Sequence, residues 1–401
     1  MVYISGAGII AALGVGKKAV LQSLVAARSG IGPISVLSTH YKGRLPVGEI
    51  NNTNADLILL AGLSHYKKPV SRTSLLGLIA AREALEGIEI DKSIKTGFIS
   101  ANSVGGMDNT EQLFETFMNK PTEADVSNAV THDCGDSTGF IAGELGISDF
   151  ITTISTACSS SANSIMLGAR MIKAGLLDRV VAGGADALTK FTLNGFNALQ
   201  ILDNEPCKPF DENRKGLNLG EGAGYIVMES EALAARHPNR IIGALTGYAN
   251  TNDAYHQTAS SPTGTGALMA MQKALKIADL NPEAISYINA HGTGTENNDL
   301  SEGIALKQLF TAGLPPFSST KAFTGHTLGA AGGIEAVISL LAIQNQTVFA
   351  NLNFQTPIQN LMFKPETSTK SHSIGHVLSN SFGFGGNCTS LVFSKVDQWP
   401  I

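Results

Sequence analysis

Charge is scarce in this chain. Only 15% of its 401 residues are Asp, Glu, Lys or Arg, and the formal net charge is −5. A general nucleic-acid-binding surface needs clustered positive charge, so that class is set aside. Four cysteines, Cys134, Cys158, Cys207 and Cys388, are too few for a disulfide framework and show no C-x-x-C spacing. They read as reduced thiols with no zinc site, and the expected compartment is the cytoplasm. No uninterrupted run of about 18 apolar residues occurs, so no membrane span is expected. The apolar start, Met1 to Val15, lacks a basic region, and Gly6, Gly8 and Gly14 would break the helix of a signal peptide. A strand turning into a helix is expected there.

What is abundant is small and apolar. Apolar residues make up 43%, and there are 43 glycines against 6% aromatics. That balance suits an α/β enzyme with tight turns and close backbone contacts. Short β-branched runs alternate with Ala/Leu-rich stretches. Strands are expected at Val2–Ser5, Thr96–Ala101, Ile151–Thr156, Arg179–Gly183, Ala223–Glu229, Ile241–Asn250, Ala284–Ala290, Val377–Ser381 and Thr389–Phe393. Helices are expected at Ser74–Glu86, Ser159–Ala174, Gly266–Ala278, Leu300–Phe310 and Gly333–Gln344. In Gly266–Ala278 the residues Leu268, Met271, Leu275 and Ala278 form a one-sided apolar stripe. Strands separated by helices suggest a parallel sheet covered on both faces. A soft boundary near His237-Pro238-Asn239 divides the chain into 1–238 and 239–401.

Several glycine-rich runs invite nucleotide readings and fail them. Gly6-x-Gly8-x-x-Ala11 follows a strand, but the acidic residue and second strand of a dinucleotide site are missing. Gly105–Gly106, Gly183–Gly184 and Gly220–Gly224 lack the Lys-Ser/Thr of a P-loop. No cofactor is expected.

Cys158 stands apart. A β-branched strand runs through Thr156-Ala157 into Cys158 and a small-residue turn, then into a helix. At a helix N-terminus the free N–H groups favour thiolate over thiol. An isolated cysteine is just as often a buried core thiol. His291 ends a hydrophobic strand and opens a turn with Thr293 and Thr295. His326 follows Lys321 and opens a Gly/Ala helix. A lone histidine is usually structural, yet two after strands beside a cysteine turn read as a constellation. Asn380-Ser-Phe382-Gly-Phe384-Gly-Gly386 is either an N–H-rich loop fit for an oxyanion or a tight hairpin with two packed rings.

Together these residues resemble the β-ketoacyl-acyl carrier protein synthase I/II group of the thiolase-fold superfamily. The resemblance runs from Val2 to Phe393. It is carried by Thr156-Ala-Cys158-Ser-Ser, Cys207-Lys-Pro-Phe-Asp211, Leu219-Gly-Glu-Gly-Ala-Gly224, Asn289-Ala-His-Gly-Thr-Gly-Thr295, Ser319-Thr-Lys-Ala-Phe-Thr-Gly-His326 and Asn380-Ser-Phe-Gly-Phe-Gly-Gly386. It implies an α/β, duplicated α-β-α-β-α fold and acyl chains delivered by an acyl carrier protein. It implies a homodimer, or a heterodimer with a paralogue. By the same resemblance Cys158 takes the acyl group, the N–H groups of Cys158 and Phe384 form its oxyanion hole, and His291 and His326 activate malonyl-ACP. Lys321 balances charge, Glu302 supports the histidines, and Thr293 and Thr295 bind pantetheine. Phe384 is the gate, while Phe382 and Val104 line the substrate side. Lys67, Lys68 and Arg72 match a carrier-docking patch, or are an ordinary solvated charge run.

Three departures stand out. Relatives read Gly-Phe-Gly-Gly-Thr-Asn where this chain has Gly386-Asn387-Cys388; Leu217-Asn218 replaces a bulkier apolar pair; and Thr131-His-Asp-Cys-Gly-Asp136 is unusually polar. His132, Asp133 and Cys134 could form a second cluster. Val104 is smaller than the common residue, which suggests a long, or rigid unsaturated or aryl, acyl chain. A thiolase, or a chain-length-factor-like partner without its own chemistry, are the competing readings.

Overall fold

The structure, a computed structural model, describes residues 1–123 and 126–396. Among the described residues the main sheet has eleven strands: a two-residue strand, Gly14–Val15, paired with the first, and ten others in two groups of five. The first group is β1 (Val2–Ala11), β2 (Thr96–Ala101), β3 (Phe150–Ile154), β4 (Arg179–Asp186) and β5 (Gly222–Glu229). The second is β6 (Gly243–Asn252), β7 (Tyr287–Asn289), β8 (Phe317–Ser318), β9 (His376–Gly383) and β10 (Asn387–Ser394). The helices that matter are α1 (Arg72–Ala84), α2 (Met107–Asn119), α3 (Cys134–Leu145), α4 (Ser160–Lys173), α5 (Lys190–Ala198), α6 (Thr265–Ala278), α7 (Glu296–Leu309) and α8 (Ala331–Asn345). All nine expected strands and all five expected helices are present, with ends shifted by a few residues.

The strand order is β1-β5-β4-β2-β3 in the first group and β6-β10-β9-β7-β8 in the second. Adding five to each number of the first order gives the second. The chain therefore folds the same way twice, and the two sheets join where Val2–Ile4 pairs with Gly243–Leu245. Helices α1 and α3 cover one outer face and α6 and α7 the other, while α4 and α8 pack between the sheets. The result is a duplicated α-β-α-β-α layering. Parallel pairing is confined to β2–β3, β2–β4, β7–β8 and β7–β9. The sheet is mixed rather than parallel because strands such as β9 and β10 are joined by a tight turn, which forces them antiparallel.

The central helix α8 is buried from Ala331 through Ile343. The 18-residue stretch Leu328–Asn345 is long and apolar enough to cross a membrane, yet 89% of it is buried inside the fold. It is the core helix. Its glycines let backbone meet backbone: a Cβ on Gly333 would lie 2.4 Å from the Gly224 carbonyl oxygen of β5. Any side chain there would push α8 off the sheet.

The duplication positions the chemistry. Cys158 precedes α4 after β3, and His326 precedes α8 after β8, its counterpart in the second group. The loop carrying His291 follows β7, the counterpart of β2.

Candidate active site

The nucleophile turn is strained and buried. Ala157 is held at φ +54°, which costs a residue with a Cβ roughly 1–3 kcal/mol. The Ser160 hydroxyl accepts the Thr156 N–H at 2.8 Å, and Cys158 is only 6% exposed. Burial pushes its thiol up to about 12; the Lys321 charge and the Phe384 N–H pull the other way. Asp186 and Glu335 add to the upward push. The sequence expectation of a thiolate is therefore overridden at rest, where loss of water outweighs the helix N-terminus. The resting nucleophile is a thiol.

His291 and His326 face each other edge to face, ring centroids 5.5 Å apart and 84° from parallel. Burial holds both well below the ordinary histidine range, with the Lys321 charge acting in the same direction. Both are neutral imidazoles, with one N–H each. The Nδ1 atom of each ring is buried without a hydrogen-bond partner. A proton placed there would be an orphaned donor, so physical cost assigns it to Nε2. Two N–H groups are thereby offered to one cavity.

Buried carboxylates hold this arrangement. Glu302 accepts the N–H groups of His291 at 3.0 Å and Gly292 at 2.9 Å, and the Asn380 amide at 3.0 Å. Burial nonetheless raises its carboxyl to about 7. Lys321, 1% exposed, forms a short ion pair with Glu335 on α8. Asp186, at the end of β4, accepts from the N–H groups of Ser103, Val104 and Gly329. It fixes the loop after β2 as Glu302 fixes the loop after β7.

One cavity of about 390 Å³ brings together Cys158, His291, His326, Thr293, Thr295, Phe382 and Phe384. The Thr293 and Thr295 hydroxyls lie 2.9 Å apart. Phe382 packs 5.5 Å from the His291 ring, and Phe384 stacks on Phe196 of α5. Val104 does not line this cavity. It packs with Cys158 in an aliphatic cluster that includes Leu188, Leu193, Leu217 and Leu328.

Two expectations change. Arg72 is not a docking cation: it is 6% exposed and bonded through Nε and Nη2 to Glu221. Its position at the first turn of α1 turns it inward, whereas Lys67 and Lys68 are exposed. His132, Asp133 and Cys134 form no site. Asp133 caps α3 by accepting the Gly135 N–H, and His132 is exposed beside Thr110. Among the described residues no cluster of metal-binding side chains occurs.

Sequence reasoning missed Glu335, Asp186 and Phe196. Glu335 had a visible signal: it is the one charged residue in the fifteen of α8. Asp186 and Phe196 had none, since only the fold brings them to Cys158.

A buried cysteine at a central helix N-terminus, facing two neutral histidines in a duplicated five-layer fold, defines a thiolase-like condensing enzyme. The comparisons agree and are more specific. Residues 1–234 match the model of the beta-ketoacyl synthase N-terminal domain, and residues 242–355 that of its C-terminal domain. The 3-oxoacyl-[acyl-carrier-protein] synthase 2 of Staphylococcus aureus (strain COL) is 33% identical over 416 aligned positions, covering 99% of this chain and 98% of that protein. The Synechocystis enzyme of the same name is 32% identical, with 98% of each covered. Among solved structures, the ishigamide ketosynthase/chain length factor superposes with a TM-score of 0.91 at 27% identity, over 98% of this chain and 99% of that one. The ketosynthase ApeO in complex with its chain length factor ApeC, from Xenorhabdus doucetiae, gives 0.84 at 31% identity, with 98% of each covered. The chain belongs to the beta-ketoacyl synthase family; it is an acyltransferase that condenses acyl groups in fatty-acid or polyketide synthesis.

Proposed function

We propose that this enzyme carries an acyl chain on Cys158 and condenses it with malonyl-ACP. The observation that carries the proposal is the shared cavity, in which Cys158, Phe384 and two neutral histidines line the same space. In the first half-reaction the Cys158 sulfur bonds to the acyl carbon and the carrier's thioester C–S bond breaks. The thiol proton ends on the departing pantetheine sulfur. In the second, malonyl-ACP loses CO₂ and its electron pair becomes an enolate, whose oxygen accepts the N–H groups of His291 and His326. The enolate carbon attacks the acyl-Cys carbonyl, the C–S bond to Cys158 breaks, and one proton from solvent restores the thiol. Lys321, buried nearby, offsets negative charge as it develops.

The reading needs no cofactor on the enzyme, because the phosphopantetheine belongs to the carrier. Thr293 and Thr295, which line the cavity, are proposed to bind that arm, and Lys67 and Lys68 to meet the acidic carrier. The aliphatic cluster around Val104 suits an apolar acyl chain, long or rigid and unsaturated. A second subunit of the same fold, this chain's own copy or a paralogue, is part of the proposal. Phe114, Phe117 and Met118 of α2 and Phe191 of α5 are exposed, and the sheet ends at the partly exposed strand β3. Paralogue pairing draws support from the solved ketosynthases with chain length factors. A cytoplasmic setting, suited to free thiols, completes the reading.

Intact-mass analysis with a panel of acyl-ACP donors tests it. An acyl adduct is expected on the native enzyme and lost in Cys158→Ala, with malonyl-ACP consumed to β-ketoacyl-ACP. Cleavage of acetoacetyl-CoA with no decarboxylation of malonyl-ACP would instead indicate a thiolase.

A further inference from the structure

The hairpin loop that carries Phe384 closes on the pair Gly383 and Asn387, opposite each other in the β9–β10 register. Both touch the nucleophile turn. Gly383 does so through its backbone: a Cβ there would lie 2.9 Å from the Thr156 carbonyl oxygen and 3.1 Å from the Cys158 nitrogen. Asn387 does so through its side chain. Its Oδ1 accepts from Ser159 Oγ at 2.7 Å, from Asn163 Nδ2 at 2.9 Å and from Asn250 Nδ2 at 2.7 Å.

These donors come from both halves of the fold. Ser159 follows Cys158 directly, Asn163 lies on the first turn of α4, and Asn250 belongs to β6. Asn163 closes the network by donating to Thr156 Oγ1 at 2.8 Å and accepting from Thr389 Oγ1 at 2.8 Å. No step of the condensation uses these side chains. A polar cluster inside a core adds little net stability compared with well-packed apolar residues, but it does impose geometry.

The geometry it imposes is the separation of two N–H groups. Those of Cys158 and Phe384 sit on different halves of the chain, and an acyl oxyanion must meet both. The Gly383 approach limits how near the loop can come, and the Asn387 bonds limit how far it can drift. We infer that Asn387 is a positioning residue for acyl transfer, holding the Phe384 N–H in register with that of Cys158. The inference rests on Cys158 being the acyl acceptor. As the Cys158 sulfur bonds to the acyl carbon, the carbonyl electron pair collects on oxygen. It returns when the bond to the pantetheine sulfur breaks, and the thiol proton ends on that sulfur.

The test compares two reactions of Cys158 in Asn387→Leu, which keeps the volume and removes the acceptor. Acyl transfer from acyl-ACP develops an oxyanion; alkylation by iodoacetamide does not. Acylation is expected to slow by about 100-fold, the usual effect of a misplaced group of this kind. Alkylation should slow far less than acylation, and the KM for acyl-ACP should stay put. Asn387→Asp keeps an oxygen acceptor for the three donors and should acylate within about threefold of native. If Asn387→Leu does not fold, Asn387→Ser serves in the same comparison. Native acylation in the Leu or Ser variant, equal slowing of both reactions, or an Asp variant as slow as the Leu variant would each overturn the inference. A native enzyme that forms no adduct would instead overturn the acyl-acceptor reading.

Discussion

The Phe384 ring lies stacked on Phe196, with 5.8 Å between centroids and 15° between planes. The backbone N–H of the same residue favours the ionised form of the Cys158 thiol. One residue therefore lines the cavity of the nucleophile and stacks on a ring of α5. Stacking of this kind contributes about 0.5–1.5 kcal/mol beyond the area buried. Phe196→Ala should release the gate and speed Cys158 acylation roughly 2- to 10-fold, read by time-resolved intact mass. An unchanged rate would show that the stack does not limit opening.

Removing one histidine should leave the first half-reaction running and cripple the second. In His291→Ala or His326→Ala one N–H donor to the enolate oxygen is gone, a loss of about 10²- to 10³-fold in kcat. The acyl adduct on Cys158 should still accumulate. Because burial and Lys321 hold both rings neutral, their NMR signals should not titrate through the ordinary value of 6.5 as pH falls from neutrality.

Lys321 and Glu335 should behave as a unit. Lys321→Met leaves a buried carboxylate without its partner, which costs about 3–5 kcal/mol in urea unfolding. Pairing it with Glu335→Gln should return most of that stability, since neither charge is then stranded. Condensation should stay low in the double variant. Full activity there would remove Lys321 from the mechanism.

The three basic residues Lys67, Lys68 and Arg72 should separate cleanly. Lys67→Glu with Lys68→Glu should raise the KM for acyl carrier protein and leave kcat nearly unchanged. Arg72→Leu should instead strand Glu221 and lower stability by about 3–5 kcal/mol. A KM unmoved by the lysine reversals would place docking elsewhere.

Glu302 makes stability depend on pH with a definite sign. Its carboxyl is raised from 4.5 to about 7, so between those values the native state holds a proton the unfolded chain has released. That contribution is complete below 4.5 and lost as pH rises through 7. Glu302→Gln does not titrate. Its stability deficit relative to the native protein should therefore shrink by roughly 3 kcal/mol between pH 5 and pH 8, read by urea unfolding. A deficit that grew with pH would contradict the burial argument.

Much of this was legible in residue order. The β-branched and Ala/Leu-rich runs located nine of the ten strands β1–β10 and five of the eight helices, where period and propensity agree locally; β8, α2, α3 and α5 were not expected. Cys158, His291 and His326 stood out because each follows a strand and enters a small-residue turn. The mixed sheet was not legible, since pairing direction depends on connections rather than on composition. Arg72 misled because a cation beside exposed lysines reads as surface, and its partner Glu221 lies 149 residues away. Asp186 and Phe196 reach Cys158 only through the fold, whereas Glu335 could have been noticed as a lone acid in an apolar helix.

The duplication also sets when chemistry becomes possible. Cys158 is made with the first half of the chain, but the loop that presents Phe384 and both histidines belong to the second. During synthesis the nucleophile and its own N–H exist for more than two hundred residues before the Phe384 N–H does. A partly made chain therefore holds the thiol with only one of the two N–H groups. The acyl-transfer site is complete only once β9 and β10 have paired.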